Sequence, residues 1–104
     1  MRSPFDFSTV EILDSELNAI HEALIDQAIG MTGHAADEAE IEDIPLVAIF
    51  EAILVGSAVS KDLPGNDKSR IPGINFENRM NDGRWIRTKV AWIDNYLIIT
   101  VHTI

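Results

Sequence analysis

The chain has 104 residues and no cysteine, so it suits one domain with a single core and cannot form a disulfide or a thiolate site. Its 46% hydrophobic and 24% charged residues are typical of a globular chain in which disorder is expected only at loops, and its net charge of −9 opposes long-range attraction to nucleic acid. The first sixteen residues lack an apolar stretch, and a proline, a glutamate and a glycine interrupt the most apolar segment, residues 44–59. We therefore expect neither a signal peptide nor a membrane-spanning helix, and the lack of cysteine favours a cytoplasmic location.

Three helices are predicted before Gly56. They cover residues 9–29, 34–42 and 45–55. Ser8 and Glu11 fit a capping box at the start of the first, and its apolar residues recur every three or four positions. Pro45 is preorganised for the first position of the third helix, and Gly56 suits the residue that follows it.

After Gly56 the apolar pattern alternates, which predicts strands. They cover residues 57–60, 74–80, 85–93 and 96–103, with a long loop at residues 61–73. A two-residue hairpin at Asp94 and Asn95 pairs Arg87 with His102 and Lys89 with Thr100. A three-residue loop, residues 81–83 with a left-handed glycine, sets Glu77 opposite Arg87 and keeps the Glu77 carboxylate out of the core.

These elements predict an α+β fold in one domain, residues 1–104. Three N-terminal helices are expected to pack on one face of a C-terminal antiparallel sheet of three to four strands.

The other face of this sheet collects polar side chains. They are Asn75, Glu77, Arg79, Trp85, Arg87, Lys89, Tyr96, Thr100 and His102. Arginine and lysine can stabilise a phosphoryl group, histidine can move a proton, and an aromatic ring can stack on a base. The alternative is that an antiparallel sheet ordinarily has one solvated face, stabilised by cross-strand pairs such as Glu77 with Arg87.

Motifs that bind nucleotides or metals are absent, so we expect no cofactor and no metal. The sequence contains no P-loop, dinucleotide fingerprint, zinc spacing or serine elbow, and the acids at 37–43 do not have EF-hand spacing. His21 borders the apolar stripe of the first helix and is expected at its solvent edge.

The charge of the chain is uneven. Residues 1–60 hold twelve of the seventeen acids and one base, a net charge of −11, whereas residues 61–104 have a net charge of +2. The acids either attract a basic partner or form a solvated helical face.

The segment from His34 to Val59, with the final strand "LIITVHTI", resembles the domain of unknown function family 4258. His34-Ala35 match the opening of a helix, and Ile44 matches the isoleucine of the family's "Arg-Gly-Ile" step. Ala52 and Gly56 match the end of the helix that follows, and residues 99–101 match the closing strand. The resemblance covers residues 31–104 and leaves the first helix, in residues 1–30, as an addition. It implies a small relative of the RelE–colicin–EndoU ribonuclease toxin fold.

The chain departs from this family where the family carries arginines. Glu38 stands at the first arginine, and Glu42-Asp43 stand at the "Arg-Gly" step. Carboxylates in place of guanidinium groups reverse the sign of the local electrostatic field. A carboxylate also cannot donate a hydrogen bond to phosphate. The acidic residues predicted to bind a partner are Asp37, Glu38, Glu40, Glu42 and Asp43.

Three functions remain open from the sequence. The first is a non-catalytic interaction module of the immunity, antitoxin or inhibitor type that binds a basic protein. The second is a metal-independent ribonuclease toxin that binds RNA on the basic sheet face, with candidate catalytic residues His34, Arg87, Lys89, Thr100 and His102. The third is a housekeeping domain whose apolar helices form a homo-oligomer.

Overall fold

A computed structural model of the protein describes residues 3–65 and 71–104. Its elements in chain order are α1 (Asp14–Ile25), β1 (Ile29–Met31), α2 (Gly33–Ile41), α3 (Leu46–Leu54), β2 (Ser57–Asp62), β3 (Gly73–Arg79), β4 (Trp85–Trp92) and β5 (Tyr96–Thr103). The strands form one sheet in the order β1-β5-β4-β3-β2. The predicted loop 61–73 begins later than expected, since β2 extends to Asp62, and its residues 66–70 lie outside the described residues.

The predicted sheet of three to four antiparallel strands is wrong. The described sheet has five strands and is mixed, because β1 pairs in parallel with β5 through Ile29 and Tyr96, Gly30 and Leu97, and Met31 and Ile98. The three helices also differ in which part of the sheet, or which other helix, they contact. Helix α3 packs across β3 and β4, α2 lies beside β5, and α1 contacts α3. The overall class is still α+β.

Helix α1 is shorter than predicted at both ends. Its capping interaction comes from Glu16, whose Oε1 accepts the Leu13 backbone N–H at 2.8 Å, and not from the predicted Ser8 and Glu11 pair. His21 Nε2 lies 2.8 Å from the Ile53 carbonyl oxygen and joins α1 to α3. The histidine that was expected at a solvent edge therefore makes a contact between helices.

The segment before α1 packs against the sheet. The Phe5 ring is buried and lies 5.9 Å from the Tyr96 ring, centroid to centroid. Lys61 Nζ lies 2.7 Å from Glu16 Oε1 and 2.8 Å from the Asp6 carbonyl oxygen, and the Lys61 and Glu16 side chains are 0% and 2% exposed. Burial alone would raise the pKa of Glu16, but the hydrogen bonds from Lys61 and from the backbone N–H groups of Leu13 and Asp6 lower it.

The register between β3 and β4 confirms the predicted turn. Glu77 pairs with Arg87 and Asn75 pairs with Lys89, and Gly83 has a φ of 92°, in the left-handed region. The placement of Glu77 on the face away from α3 follows, because its β3 neighbour Phe76 is buried in the core.

The register between β4 and β5 is confirmed at one end and wrong at the other. Arg87 pairs with His102 and Lys89 with Thr100, as predicted, but Val90 pairs with Ile98. Ile99 is therefore an extra residue in β5, and the bulge it makes inverts the faces of the residues before it. Tyr96, predicted on the polar face, consequently lies on the core side and is buried.

Candidate functional site

Helix α2 occupies the edge of β5 where strand pairing stops. The Thr32 N–H donates to the Ile98 carbonyl oxygen at 3.0 Å, and the Thr32 side chain then accepts the Ala35 N–H as the N-cap of α2. Beyond Thr32 no strand pairs with this edge of β5 in the described chain, and side chains of α2 accept hydrogen bonds from its backbone N–H groups instead. Ala35 and Ala39 face the core, which holds the helix against the sheet.

Two of the five candidate partner-binding acids bind the β5 edge. Glu38 Oε1 accepts the Val101 N–H at 3.2 Å, and Glu42 Oε2 accepts the Thr103 N–H at 2.6 Å. These residues are four positions apart, so they point to the same side of the helix and reach amides two residues apart in the strand. Glu38 and Glu42 thus protect a sheet edge that would otherwise expose backbone donors.

The other three acids are solvent-exposed. Asp37, Glu40 and Asp43 make no ion pair with any residue that the structure describes. Asp37 and Glu40 lie on the side of α2 opposite to the β5 edge because of their spacing from Glu38 and Glu42. The acidic segment therefore divides into two structural carboxylates and three free ones.

His34 lies near the start of α2, on the same side as Glu38. Its side chain is 74% exposed, and its Nε2 is 3.4 Å from Glu38 Oε1. Within the described ranges, no hydrogen bond or ion pair joins His34 to Arg87 or His102. The structure places His34 beside Glu38, and no hydrogen bond or ion pair among the described residues joins it to the other candidate catalytic residues.

The other four candidate catalytic residues share one face of the sheet. Arg87 lies beside His102 and Lys89 beside Thr100, in neighbouring strands. Both cations, however, are bound to carboxylates on that face. Arg87 donates to Glu77 through two nitrogens, and Lys89 Nζ lies 2.8 Å from Asp62 Oδ2. A phosphate group would have to compete with these carboxylates for its cationic donors.

A cleft of about 360 Å³ opens where the α2–α3 connection meets the β3–β4 turn. Its lining consists of Asp43, Pro45, Val47, Ala48, Glu51, Met80, Asn81, Asp82 and Arg84. Three carboxylates and one guanidinium thus surround an apolar floor.

Arg84 fixes the geometry of this cleft. Its Nη1 and Nη2 donate to the carbonyl oxygens of Glu42 and Asp43 at 2.6 and 2.9 Å, and its Nε donates to Asp82 Oδ2 at 2.8 Å. The hydrogen bonds from the Arg84 backbone N–H and guanidinium lower the pKa of Asp82. Since Arg84 and Asp82 satisfy each other, Asp43 and Glu51 are the carboxylates of the cleft without a cationic partner among the described residues.

Sequence reasoning did not identify the roles of Arg84 and Glu51. Neither residue belongs to a recognisable motif, and the cleft joins segments that are about 40 positions apart in the chain. One signal was present in the sequence: α3 is apolar on nearly all sides except for Glu51, so a charge at that position points away from the core.

Replacing Glu42 with alanine is expected to lower the free energy of unfolding by about 1.5–3 kcal/mol, because the Thr103 N–H and hydroxyl would lose a charged acceptor. Glu40→Ala is the matched control on the exposed side of α2 and is expected to change it by less than about 0.5 kcal/mol. Chemical denaturation of both variants measures the difference. Equal effects would contradict the role of Glu42 at the sheet edge.

No family model, curated protein or solved structure matches this chain significantly. The resemblance to family 4258 stays a prediction. Among the described residues, no group of three or more His, Asp or Glu side chains is arranged to hold a metal ion. No helix within residues 3–65 and 71–104 is long and apolar enough to cross a membrane.

Proposed function

We propose that this protein is a non-catalytic module that binds a basic protein partner through the free carboxylates of α2 and the α2–α3 connection. Asp37, Glu40 and Asp43 are the residues proposed to face the partner. The proposal is supported by how the charges of the chain are used internally.

The observation that carries the proposal is the pairing of the cations. Four of the five Lys and Arg residues that the structure describes make ion pairs within the chain: Lys61, Arg84, Arg87 and Lys89. Acids outnumber bases by seventeen to eight in the sequence, so carboxylates remain after this pairing. A surface with unpaired carboxylates attracts a cationic partner over long range and repels polyanions.

The type of partner follows from the resemblance, which is itself a proposal. A member of family 4258 with carboxylates at the arginine positions would not bind RNA at α2. We propose that it acts instead as an immunity, antitoxin or inhibitor protein. Glu38 and Glu42 have a structural role at the β5 edge and are not needed for the partner.

A low-salt pull-down from the host of this protein tests the proposal with two variants of equal charge. The first replaces the proposed surface by Asp37→Asn, Glu40→Gln and Asp43→Asn. Asparagine tolerates the positive φ of 54° at Asp43. The control removes three exposed acids elsewhere by Glu11→Gln, Glu22→Gln and Asp26→Asn.

The wild type and the control are expected to retain the same basic protein, and the first variant is expected to lose it. Salt should release the partner, since the screening length falls from about 10 Å at 0.1 M to about 3 Å at 1 M. The purified protein is expected to leave RNA intact. If no basic protein is retained, or if both variants retain it equally, the proposal is wrong.

The ribonuclease alternative is supported by one observation, the placement of Arg87 beside His102 and of Lys89 beside Thr100. Its signature would be that the purified protein cleaves RNA and that the His102→Ala substitution abolishes this cleavage. That result would replace the interaction module as the function.

A further inference from the structure

The outer side of α3 is apolar although its inner side already packs in the core. Ala48, Ile49, Ala52 and Ile53 are buried, whereas Val47 is 62% exposed and Leu54 is 39% exposed. Val47, the half-buried Phe50 and Leu54 are spaced by three and four residues, so they form one ridge along the helix. A helix that is apolar on all sides is normally buried, yet Val47 and Leu54 stay exposed on this ridge, while Phe50 between them packs partly against the core.

The ridge continues into the cleft beside α3. Val47 belongs to both, and Glu51 lies on the same side of the helix as Val47 and Leu54. Asp43, in the α2–α3 connection, lines the same cleft as Glu51. The docking surface, defined as Val47, Phe50 and Leu54 with Asp43 and Glu51, therefore combines an apolar strip with two carboxylates that have no cationic partner in the described part of the chain.

Charge decides what can cover this surface. A second copy of the chain would bring another net charge of −9 and the same two carboxylates to the interface. A neutral apolar segment would desolvate Asp43 and Glu51 without pairing them, which is unfavourable. A cationic amphipathic helix satisfies both features, because its apolar side covers the ridge and its Lys or Arg side chains reach the carboxylates.

We infer that the docking surface binds a cationic amphipathic helix of a partner protein. The inference rests on the proposed function. It extends the proposed surface from Asp43 onto α3 and adds the form of the partner. The apolar contacts supply part of the affinity, and Glu51 and Asp43 select for positive charge, so binding as a whole weakens as salt is added.

A designed peptide of about four helical turns tests the inference. The probe carries leucine on one side and lysine on the other, and the control peptide has serine in place of leucine with unchanged charge. Fluorescence anisotropy gives the dissociation constants at low and at high salt, and amide chemical shifts of the protein report where each peptide binds. The full chain is used throughout.

The matched variants are Val47→Ser with Leu54→Ser, and Val10→Ser with Ile25→Ser as the control. Val10 and Ile25 are 70% and 71% exposed and lie outside the docking surface. All four side chains are exposed, so both variants are expected to fold. Glu51→Gln, with Glu22→Gln as its control, tests the charge contribution.

The leucine–lysine peptide is expected to bind at least about ten-fold more tightly than the serine–lysine peptide, with shifts centred on α3 and the β3–β4 turn. Loss of Val47 and Leu54 should weaken its binding by about ten-fold or more, and the control variant should not. Glu51→Gln should weaken binding at low salt and Glu22→Gln should not.

Four results would overturn the inference. If both peptides bind equally, or if the shifts lie elsewhere, the docking surface is wrong while the proposed function stands. If neither peptide binds at low salt, the docking surface is also wrong, and the pull-down with the Asp37, Glu40 and Asp43 variant decides the proposed function separately. If the wild type sediments as a dimer that Val47→Ser with Leu54→Ser dissociates, the occupant of the ridge is a second copy.

Discussion

Replacing Lys61 with methionine is expected to lower the free energy of unfolding by about 3–5 kcal/mol, because it leaves the Glu16 carboxylate buried without its cation. Glu16→Gln should also destabilise strongly, since it leaves the Lys61 ammonium buried without a charged partner. The double variant should cost less than the sum of the single changes. Denaturant unfolding of the three variants forms a double-mutant cycle that measures the coupling.

The matched control is the more exposed ion pair between Arg87 and Glu77, whose side chains are 39% and 21% exposed. Arg87→Met is expected to cost no more than about 1 kcal/mol. Equal costs for Lys61→Met and Arg87→Met would show that burial of the first pair has no energetic consequence.

The coupling should also depend on pH in a defined direction. The pKa of Glu16 is lower in the folded chain than its usual value of 4.5, so the folded state favours the charged carboxylate. The stability contributed by Glu16 is therefore fully present above its unfolded-state pKa and is lost as the pH falls through the folded-state pKa. The stability difference between wild type and Glu16→Gln should shrink over that acidic range.

Replacing Gly56 with alanine is expected to lower the free energy of unfolding by about 1–3 kcal/mol. A Cβ atom at this position would lie 2.4 Å from the Ala52 carbonyl oxygen and 2.6 Å from the Glu77 carbonyl oxygen. Both contacts are with backbone, so no side chain can move aside, and α3 and β3 would have to separate.

Gly33→Ala is the control for this substitution. A Cβ atom at Gly33 would contact nothing within 4 Å, and alanine at the start of α2 is expected to stabilise by about 0.4–1 kcal/mol. Thermal and denaturant unfolding of both variants measure the difference. Similar effects at Gly56 and Gly33 would contradict the close approach of α3 to β3.

Gly56 shows how a correct expectation can have a different cause. The sequence predicts a glycine that ends α3, and α3 does end at Leu54, immediately before Val55 and Gly56. The usual reason is a left-handed φ, but Gly83 is the glycine with positive φ in the described chain. Gly56 is needed because two backbone segments that are distant in the sequence approach each other there.

Local patterns predicted the parts of the fold that depend on local forces. Helices α2 and α3 lie within about one residue of their expected bounds, since capping, proline and apolar periodicity act over a few residues. The turn at Gly83 set the pairing of β3 with β4, because the length of a hairpin loop fixes the register of its strands.

Three features required the tertiary structure because the groups that decide them are far apart in the chain. Strand β1 has three residues and no alternation, and its partner β5 lies more than 60 positions away. The bulge at Ile99 places Tyr96 in the core, where Phe5 covers it, and a hairpin rule assumes unbroken pairing. Glu38 and Glu42 have the same local sequence signal as Asp37 and Glu40, and only the neighbouring β5 edge distinguishes them.

The sequence by itself determined that this chain is acidic and of the α+β class, with an apolar third helix. Predictions from composition and periodicity average over many residues, so they do not depend on how the strands and helices are connected. Which carboxylates are free was decided by the tertiary structure alone, because that depends on which donors the fold brings within hydrogen-bond distance.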